Sequence, residues 1–429
     1  MNFALLLIYL FIYIVRPSEW VPGLIGTPLL MVVGVLAIVA IIFGVISGKT
    51  PNVLSGDVER MMLGFIVAIC LSHLSHGYVG GAINSMEKFL PSMVGFFLVI
   101  TSINDRKKFN MLIVVLFALV LFVAYEGGQQ YRTGYSIGGM EPIYQNATSV
   151  DGEQIKIPRI RWYGLFNDPN DLGLLLIIII PFLVNMLMQR RFVVPLISLS
   201  LVIPALYYTN SRGSMLAGAV AICSYFLIRY RSKKGFMLGL VLIVPLLLLG
   251  PSRMGDMSGK EESAYGRIES WYQGYQMFKS NPLFGVGMGS YTDYHELTAH
   301  NSFVLIMAEL GFLGLFFFTG LIYYPLTRLR SVLFSKETDV ALSTDDLGAI
   351  SSVFASFVGV LASIFFISRA YVLIPFLLIA LSTSMNRIHE ISCHGVETFE
   401  KPASYHLKLI ALISISQIIL INLIVKVFI

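Results

Sequence analysis

His300-Asn-Ser-Phe-Val-Leu-Ile-Met-Ala-Glu-Leu-Gly-Phe-Leu-Gly-Leu-Phe-Phe-Phe318 opens on two polar residues and passes at once into an apolar run. The run predicts a membrane-spanning helix over Ser302 to Phe318, with an imidazole standing at its edge. Ionisable groups near membrane depth are expensive to keep, so the default reading of His300 is functional. The residues ahead of it are polar: Ser263-Ala-Tyr-Gly-Arg-Ile-Glu-Ser-Trp271, then Asn281-Pro-Leu-Phe-Gly-Val-Gly-Met-Gly289. They put a second ionisable group, Arg267, beside the same membrane edge.

The rest of the 429-residue chain is of the same kind. Apolar residues make up 56% and charged residues 13%, where a soluble domain carries roughly 25% charged. That balance excludes a tethered soluble enzyme. It predicts one integral membrane domain over 1–429, an all-α polytopic transmembrane helical bundle. Hydropathy predicts about 12–13 spans, centred near residues 9, 37, 67, 96, 118, 180, 200, 221, 243, 314, 357, 378 and 418. The first, opening Met1-Asn-Phe-Ala-Leu-Leu, has no basic leader and no small-residue cleavage site, so it reads as a retained span. Cys70, Cys223 and Cys393 give neither a disulfide framework nor a paired metal spacing.

Lysine and arginine outnumber the acids 30 to 25, a net charge of +5, and they gather in short loops. Arg106-Lys107-Lys108, Arg190-Arg191, Arg229 to Lys234 and Arg328 to Lys336 all fall on one side with this span order. Positive loops stay cytoplasmic, so the pattern is a topology signal and not a nucleic-acid footprint. The loops from about Glu126 to Asp171 and from about Pro251 to Ala299 then face outward, the first irregular, the second a large extracytoplasmic loop over 251–300. Within it, Tyr265 to Phe278 predicts an amphipathic helix along the membrane surface, with Trp271, Tyr272 and Tyr275 as interfacial aromatics. Arg212 and Arg369 fall at outer helix ends. No ATP is available on that side, so a reaction there needs a donor already activated.

Each motif has a bland counterpart. His300 is a candidate general base, because neutral imidazole accepts a proton near pH 7; the alternative is an interfacial histidine facing water. Asn301 is placed to orient it or to bind a sugar hydroxyl, and Ser302 to cap the helix. Arg212, in Asn210-Ser211-Arg212-Gly213-Ser214, opens a helix whose dipole favours anions there, an arrangement suited to a diphosphate; the alternative is a snorkelling arginine. Arg267 is either a ligand contact or an ion-pair partner of Glu261, Glu262 or Glu269. Gly285-x-Gly287-x-Gly289 follows no strand and reads as a tight turn. Gly311-x-x-Gly314 reads as close helix packing. His73-x-x-His76 has metal-compatible spacing but no carboxylate or cysteine near it in sequence, and His389, Cys393, His394 and His406 read as a solvated tail, so no metal site is expected. Asn146-Ala-Thr is a glycosylation sequon by pattern only.

These pieces, in this order, resemble the O-antigen ligase and polymerase superfamily of bacterial envelopes. Gly164-Leu-Phe-Asn-Asp-Pro169-Asn170-Asp-Leu-Gly173 looks like the family's stretch before a span, and Ser211-Arg212-Gly213 looks like its helix start. Gly266-Arg267 with Trp271, followed by Pro282-Leu-Phe-Gly285-Val-Gly287, looks like its large-loop signature. His300-Asn301 with Glu309, Gly311 and Gly314 looks like its His-Asn helix. The likeness covers roughly residues 160–330. Val304 and Leu305 depart from it, the second where a polar residue is frequent. The resemblance implies a GT-C-like membrane glycosyltransferase, multi-pass in the bacterial cytoplasmic (inner) membrane, working at its extracytoplasmic face without cofactor or metal. The donor would be a glycan on a polyprenyl diphosphate, and the acceptor a hydroxyl of lipid A core, a protein or another glycan. Arg212 and Arg267 would hold the diphosphate and His300 would activate the acceptor. Asn301, Arg161, Arg159, Asn170 and Arg369 are further candidates for substrate contact. A repeat-unit polymerase of the same superfamily is the alternative. A transporter is a third reading, opposed by the lack of an internal repeat and by polar residues gathered at one face.

Overall fold

The computed structural model describes residues 2–48, 56–148, 154–230, 237, 262–334, 343–392 and 401–428. The span expected near residue 243, the first part of the large loop, Glu261, Cys393 and His394 lie outside the described residues. In chain order the helices are α1 (Asn2–Val15), α2 (Pro17–Trp20), α3 (Leu29–Ile46), α4 (Asp57–Leu74), α5 (Val79–Ser102) and α6 (Arg106–Thr133). The strands β1 (Ile143–Thr148) and β2 (Gln154–Arg159) follow. Then come α7 (Pro169–Ile177), α8 (Ile180–Met188), α9 (Val193–Tyr208), α10 (Arg212–Tyr230) and α11 (Glu262–Ser280). The last are α12 (Tyr291–Tyr294), α13 (Ser302–Phe334), α14 (Thr344–Ile364), α15 (Leu373–Ser392) and α16 (Ala403–Phe428).

The chain is therefore all-α and polytopic. Among the described residues nine helical segments are long and apolar enough to cross a membrane. Helix also covers the expected centres near residues 67, 200 and 378. There α4 carries Asp57, Glu59 and Arg60 in its first turn, α9 is short, and α15 ends in the polar run Asn386 to Glu390. The first outer loop differs from its expected irregular form. α6 continues through Gly127-Gly128, where the missing side chain lets Ile160 approach, and β1 pairs antiparallel with β2, Ile143 opposite Arg159.

The chain divides into two compact units. The first draws on Met1–Ile38, Asp105–Asp256 and Leu342–Ser363. Its α7 and α8 form one apolar span interrupted at Ile178-Ile179, because Pro181 has no N–H to continue the ladder. A broken helix in lipid needs substitutes for its lost hydrogen bonds. A buried serine of α14 supplies one: Ser356 Oγ donates to the Ile178 carbonyl at 2.7 Å, while Ser352 Oγ, bonded to the Gly348 carbonyl at 2.8 Å, also lies 3.3 Å from that of Pro181. At one end of this unit Arg106 pairs with Asp346 at 3.6 Å and Gln189 Nε2 donates to Asp345 at 3.1 Å, which gathers three polar helix ends together.

The second unit draws on Val39–Asn104, Met257–Ala341 and Ile364–Ile429. Its core includes an aromatic cluster of Phe65, Phe89, Phe318 and Phe376. Arg328 meets Asp57 at 2.8 Å, and Arg387 meets the buried Glu59, at the end where α4 starts. α13 is not one straight helix. At Gly311 its backbone adopts φ 64°, ψ −159°, a region essentially confined to glycine. Gly311 is a close-packing glycine, an added Cβ standing 2.5 Å from the Leu283 backbone, and it is also the point of a break.

Candidate functional site

In the first unit, the site begins where α10 begins. Asn210 takes left-handed backbone at φ 49°, which asparagine tolerates better than most residues. Ser211 follows as the cap, its Oγ accepting the Ser214 N–H at 3.2 Å. Arg212 is thereby fixed in the first turn, half-buried, at the end of the helix that favours anions. Asn170 braces this start. Its Oδ1 accepts from Ser211 Oγ at 2.7 Å and from Arg159 Nη2 at 3.4 Å, while its own Nδ2 donates to Asp168 at 2.8 Å. Arg159 Nε also donates to the Thr209 carbonyl at 2.9 Å. Arg159, Asn170 and the start of α10 are thus brought together. Arg161 turns to another task, donating from Nε to the Glu141 carbonyl at 2.8 Å and from Nη1 to Asn167 at 3.0 Å, and so bracing the foot of the hairpin.

The second unit has its own candidate position, where α13 begins. His300 lies just ahead of the helix, half-buried, at φ 47°. A left-handed non-glycine residue costs about 1–2 kcal/mol, and such strain is characteristically held at functional positions. Ser302 is not the cap. Asn301 is: its Oδ1 accepts from Phe303 N at 2.9 Å and Val304 N at 3.1 Å, and the residue is buried. Ser302 instead reaches across to the segment between α14 and α15, donating to the Ile367 carbonyl at 2.7 Å and accepting the Arg369 N–H at 2.9 Å. Arg369 therefore joins the helix start that carries His300.

Arg267 approaches through packing. It lies one helical turn before Trp271 on α11, and residues four apart share a helix face. Trp271, half-buried, packs edge-on against Phe365, with ring centroids 5.7 Å apart, and Phe365 begins the segment that holds Arg369. Gly274 lets α11 close on Val304 of α13, where an added Cβ would come within 2.7 Å. The Tyr291 hydroxyl donates to the Ser270 carbonyl, and burial raises that phenol's pKa, so it remains a donor. Glu269 of α11 is exposed.

The glycine run repairs the break in α13. Val286 and Gly287 donate their N–H groups to the carbonyls of Ala308 and Glu309, at 3.0 and 2.9 Å. Phe312 and Leu313, beyond the break, donate to the carbonyls of Pro282 and Leu283, at 2.8 and 3.2 Å. Gly285, Gly287 and Gly289 all have positive φ. A Cβ on Gly285 would stand 2.3 Å from the Glu309 carbonyl, so this turn is a backbone splice. Both histidines of the His73-x-x-His76 pair hold it from the other side: His73 Nε2 lies 3.1 Å from the Met288 carbonyl oxygen and His76 Nε2 lies 2.9 Å from that of Gly285. Among the described residues no group of three or more His, Cys, Asp or Glu is arranged to hold a metal.

Sequence reasoning gave no role to Glu309. Its buried carboxylate accepts from the Tyr371 hydroxyl at 2.8 Å and from Tyr291 N at 3.2 Å. Burial and this carboxylate hold the Tyr371 phenol well above its ordinary pKa, so it stays protonated and donates. The available signal was an acid inside an otherwise apolar run.

Residues 197–319 match the family described as O-antigen ligase. The match supports the likeness to the O-antigen ligase and polymerase superfamily and, in general terms, a glycosyl-transferring function of that type. No curated protein matches the chain.

Proposed function

We propose that this chain, with an O-antigen-ligase-type segment at its centre, transfers a glycan from a polyprenyl-diphosphate carrier to an acceptor hydroxyl at the outer face of the bacterial cytoplasmic membrane. The observation that carries the reading is that the matched segment, 197–319, contains Arg212, Arg267 and His300, the three residues the chemistry asks for. Within it, Arg212 opens a helix and His300 stands in strained backbone ahead of another.

The chemistry follows from the groups. The acceptor oxygen attacks the anomeric carbon, forming a new C–O bond. The bond from that carbon to the diphosphate oxygen breaks, and the lipid diphosphate leaves with the electron pair. The acceptor proton passes to neutral His300. Arg212 and Arg267 are assigned to the diphosphate, where guanidinium forks offset the charge that grows on the leaving group. A single displacement of this kind inverts the anomeric configuration. No metal is required by this scheme, so transfer should be unchanged in excess EDTA. Arg369 is assigned to a second anionic contact, as is Arg161, whose Nη2 is not used in bracing the hairpin. Arg159, Asn170 and Asn301 support the two helix starts, and a role in substrate contact is assigned to them with that support. Lipid A core, a protein or another glycan is the acceptor.

Glycan profiling of cells lacking the chain, restored with wild type or His300→Ala, tests the proposal. Finished polymer accumulating on the carrier, unrelieved by His300→Ala, supports a ligase. Accumulation of single repeat units assigns the chain to polymerisation. An unchanged profile in a strain with no paralogue overturns the glycosyltransferase reading.

A further inference from the structure

We infer that Glu309 is a positioning residue for this reaction: through Tyr371 it fixes the segment that presents Arg369 at the start of α13. The inference rests on the proposed transfer and names a part of its machinery that the reading above does not use. Glu309 lies on the short part of α13 between His300 and the break at Gly311. It is 2% exposed, in a helix otherwise apolar enough to span a membrane. A carboxylate there is costly, and an apolar residue would pack without that cost, so its retention calls for a task.

The hydrogen bonds identify the task. The Tyr371 hydroxyl donates to Glu309 Oε2 at 2.8 Å, and the Tyr371 carbonyl accepts from Ser92 Oγ of α5 at 2.7 Å. Two residues back, the Arg369 N–H donates to Ser302 Oγ at 2.9 Å, and four further back Phe365 packs on Trp271. Two residues of extended chain reach at most about 7 Å, so fixing Tyr371 confines Arg369. Oε1 meanwhile accepts Tyr291 N at 3.2 Å, at the end of the glycine splice. One carboxylate therefore joins two loops to the helix that follows His300. Glutamine at this position keeps an acceptor for Tyr291 N and offers its amide to the Tyr371 oxygen, so a positioning role survives Glu309→Gln. A role in the charge or proton chemistry does not.

The test is a double-mutant cycle on the full chain in proteoliposomes. The donor is the lipid-linked glycan fraction extracted from cells lacking the chain, and the acceptor is membrane from the same cells. Tyr371→Phe is expected to lower kcat/KM about tenfold, and Arg369→Ala at least as much. The double variant should lie within about twofold of Arg369→Ala alone, because the hydroxyl acts through that arginine. Glu309→Gln should retain transfer within about threefold of wild type, while Glu309→Leu loses at least tenfold. Multiplying effects in the double variant, or Glu309→Gln as damaging as Glu309→Leu, overturns the inference and leaves the transfer reading standing. Absence of transfer by the wild-type chain overturns both. Unfolding temperatures of the four single variants in detergent separate any loss of fold from loss of rate, and Glu309→Gln carries the test if Tyr371→Phe fails to insert.

Discussion

The starts of α10 and α13 use the same backbone device and place their ionisable residue differently. Each has a left-handed residue, Asn210 or His300, followed by a capping residue, Ser211 or Asn301. In the first unit the ionisable group comes after the cap. Arg212 sits inside the first turn, where its charge opposes the helix dipole by about 0.3–1 kcal/mol. In the second unit it comes before the cap, and His300 itself carries the backbone strain. An anion bound at this helix start would offset the electrostatic cost at Arg212. The conformational cost at His300 belongs to its backbone and is present whether or not substrate is bound. One start is prepared by charge, the other by geometry.

Substitution at His300 breaks this comparison most sharply. His300→Gly removes the imidazole and relieves the left-handed strain, so it should lose about 10²–10⁴-fold in transfer rate. It should also unfold at a temperature no lower than His300→Ala, measured by thermal unfolding in detergent. Transfer within threefold of wild type would remove the base assignment. Arg212 should behave in the opposite sense with respect to charge. Arg212→Gln is expected to abolish transfer while leaving the unfolding temperature unchanged or raised, and Arg212→Lys should recover only part of the rate, because a point charge cannot reproduce the bidentate fork. A fall of several degrees in Arg212→Gln would mean that the arginine is structural.

How far the sequence could anticipate these two starts differs too. The apolar runs announced nearly every helix, because burial in lipid is written into composition residue by residue. Asn210-Ser211-Arg212 was legible as a helix start because its cap and its cation are adjacent. At the other start the sequence favoured Ser302 as the cap, and the choice went to Asn301 because Ser302 is committed to Ile367 and Arg369, far along the chain. The break at Gly311 was hidden for the same reason. Its partner is the backbone of Leu283, and no spacing within Gly311-x-x-Gly314 reports that contact. The pairing of 143–148 with 154–159 was hidden by the glycine-rich approach to it. Local pattern gave the helices, and long-range backbone contacts gave their ends.

Two smaller effects sharpen the comparison. Ser211→Ala and Asn301→Ala should each cost stability of about 1 kcal/mol as lost caps, with Asn301→Ala the larger, since its carbonyl serves two N–H groups in a buried setting. Equal chemical-denaturation midpoints for the two would say that the starts are equivalent in stability after all. The smallest effect lies outside both, at Asp105, the cap of α6. Its carboxyl is held below the ordinary range, first by the Lys108 N–H. A depressed carboxyl contributes stability above its unfolded pKa, near about 3.9, and loses it as pH falls through the lower folded value. Asp105→Asn should therefore flatten the acid limb of an unfolding-against-pH curve, lying slightly below wild type at neutral pH and meeting it at low pH.

The interrupted span of α7 and α8 also has a history in time. The carbonyls of Ile178 and Pro181 are met by serines 178 and 171 residues further along the chain. At about 5–20 residues per second, translation reaches those serines roughly ten to thirty seconds after the break has been made. Through that interval the nascent segment is without these two serine contacts. The interrupted span therefore gains these contacts only once α14 has been made.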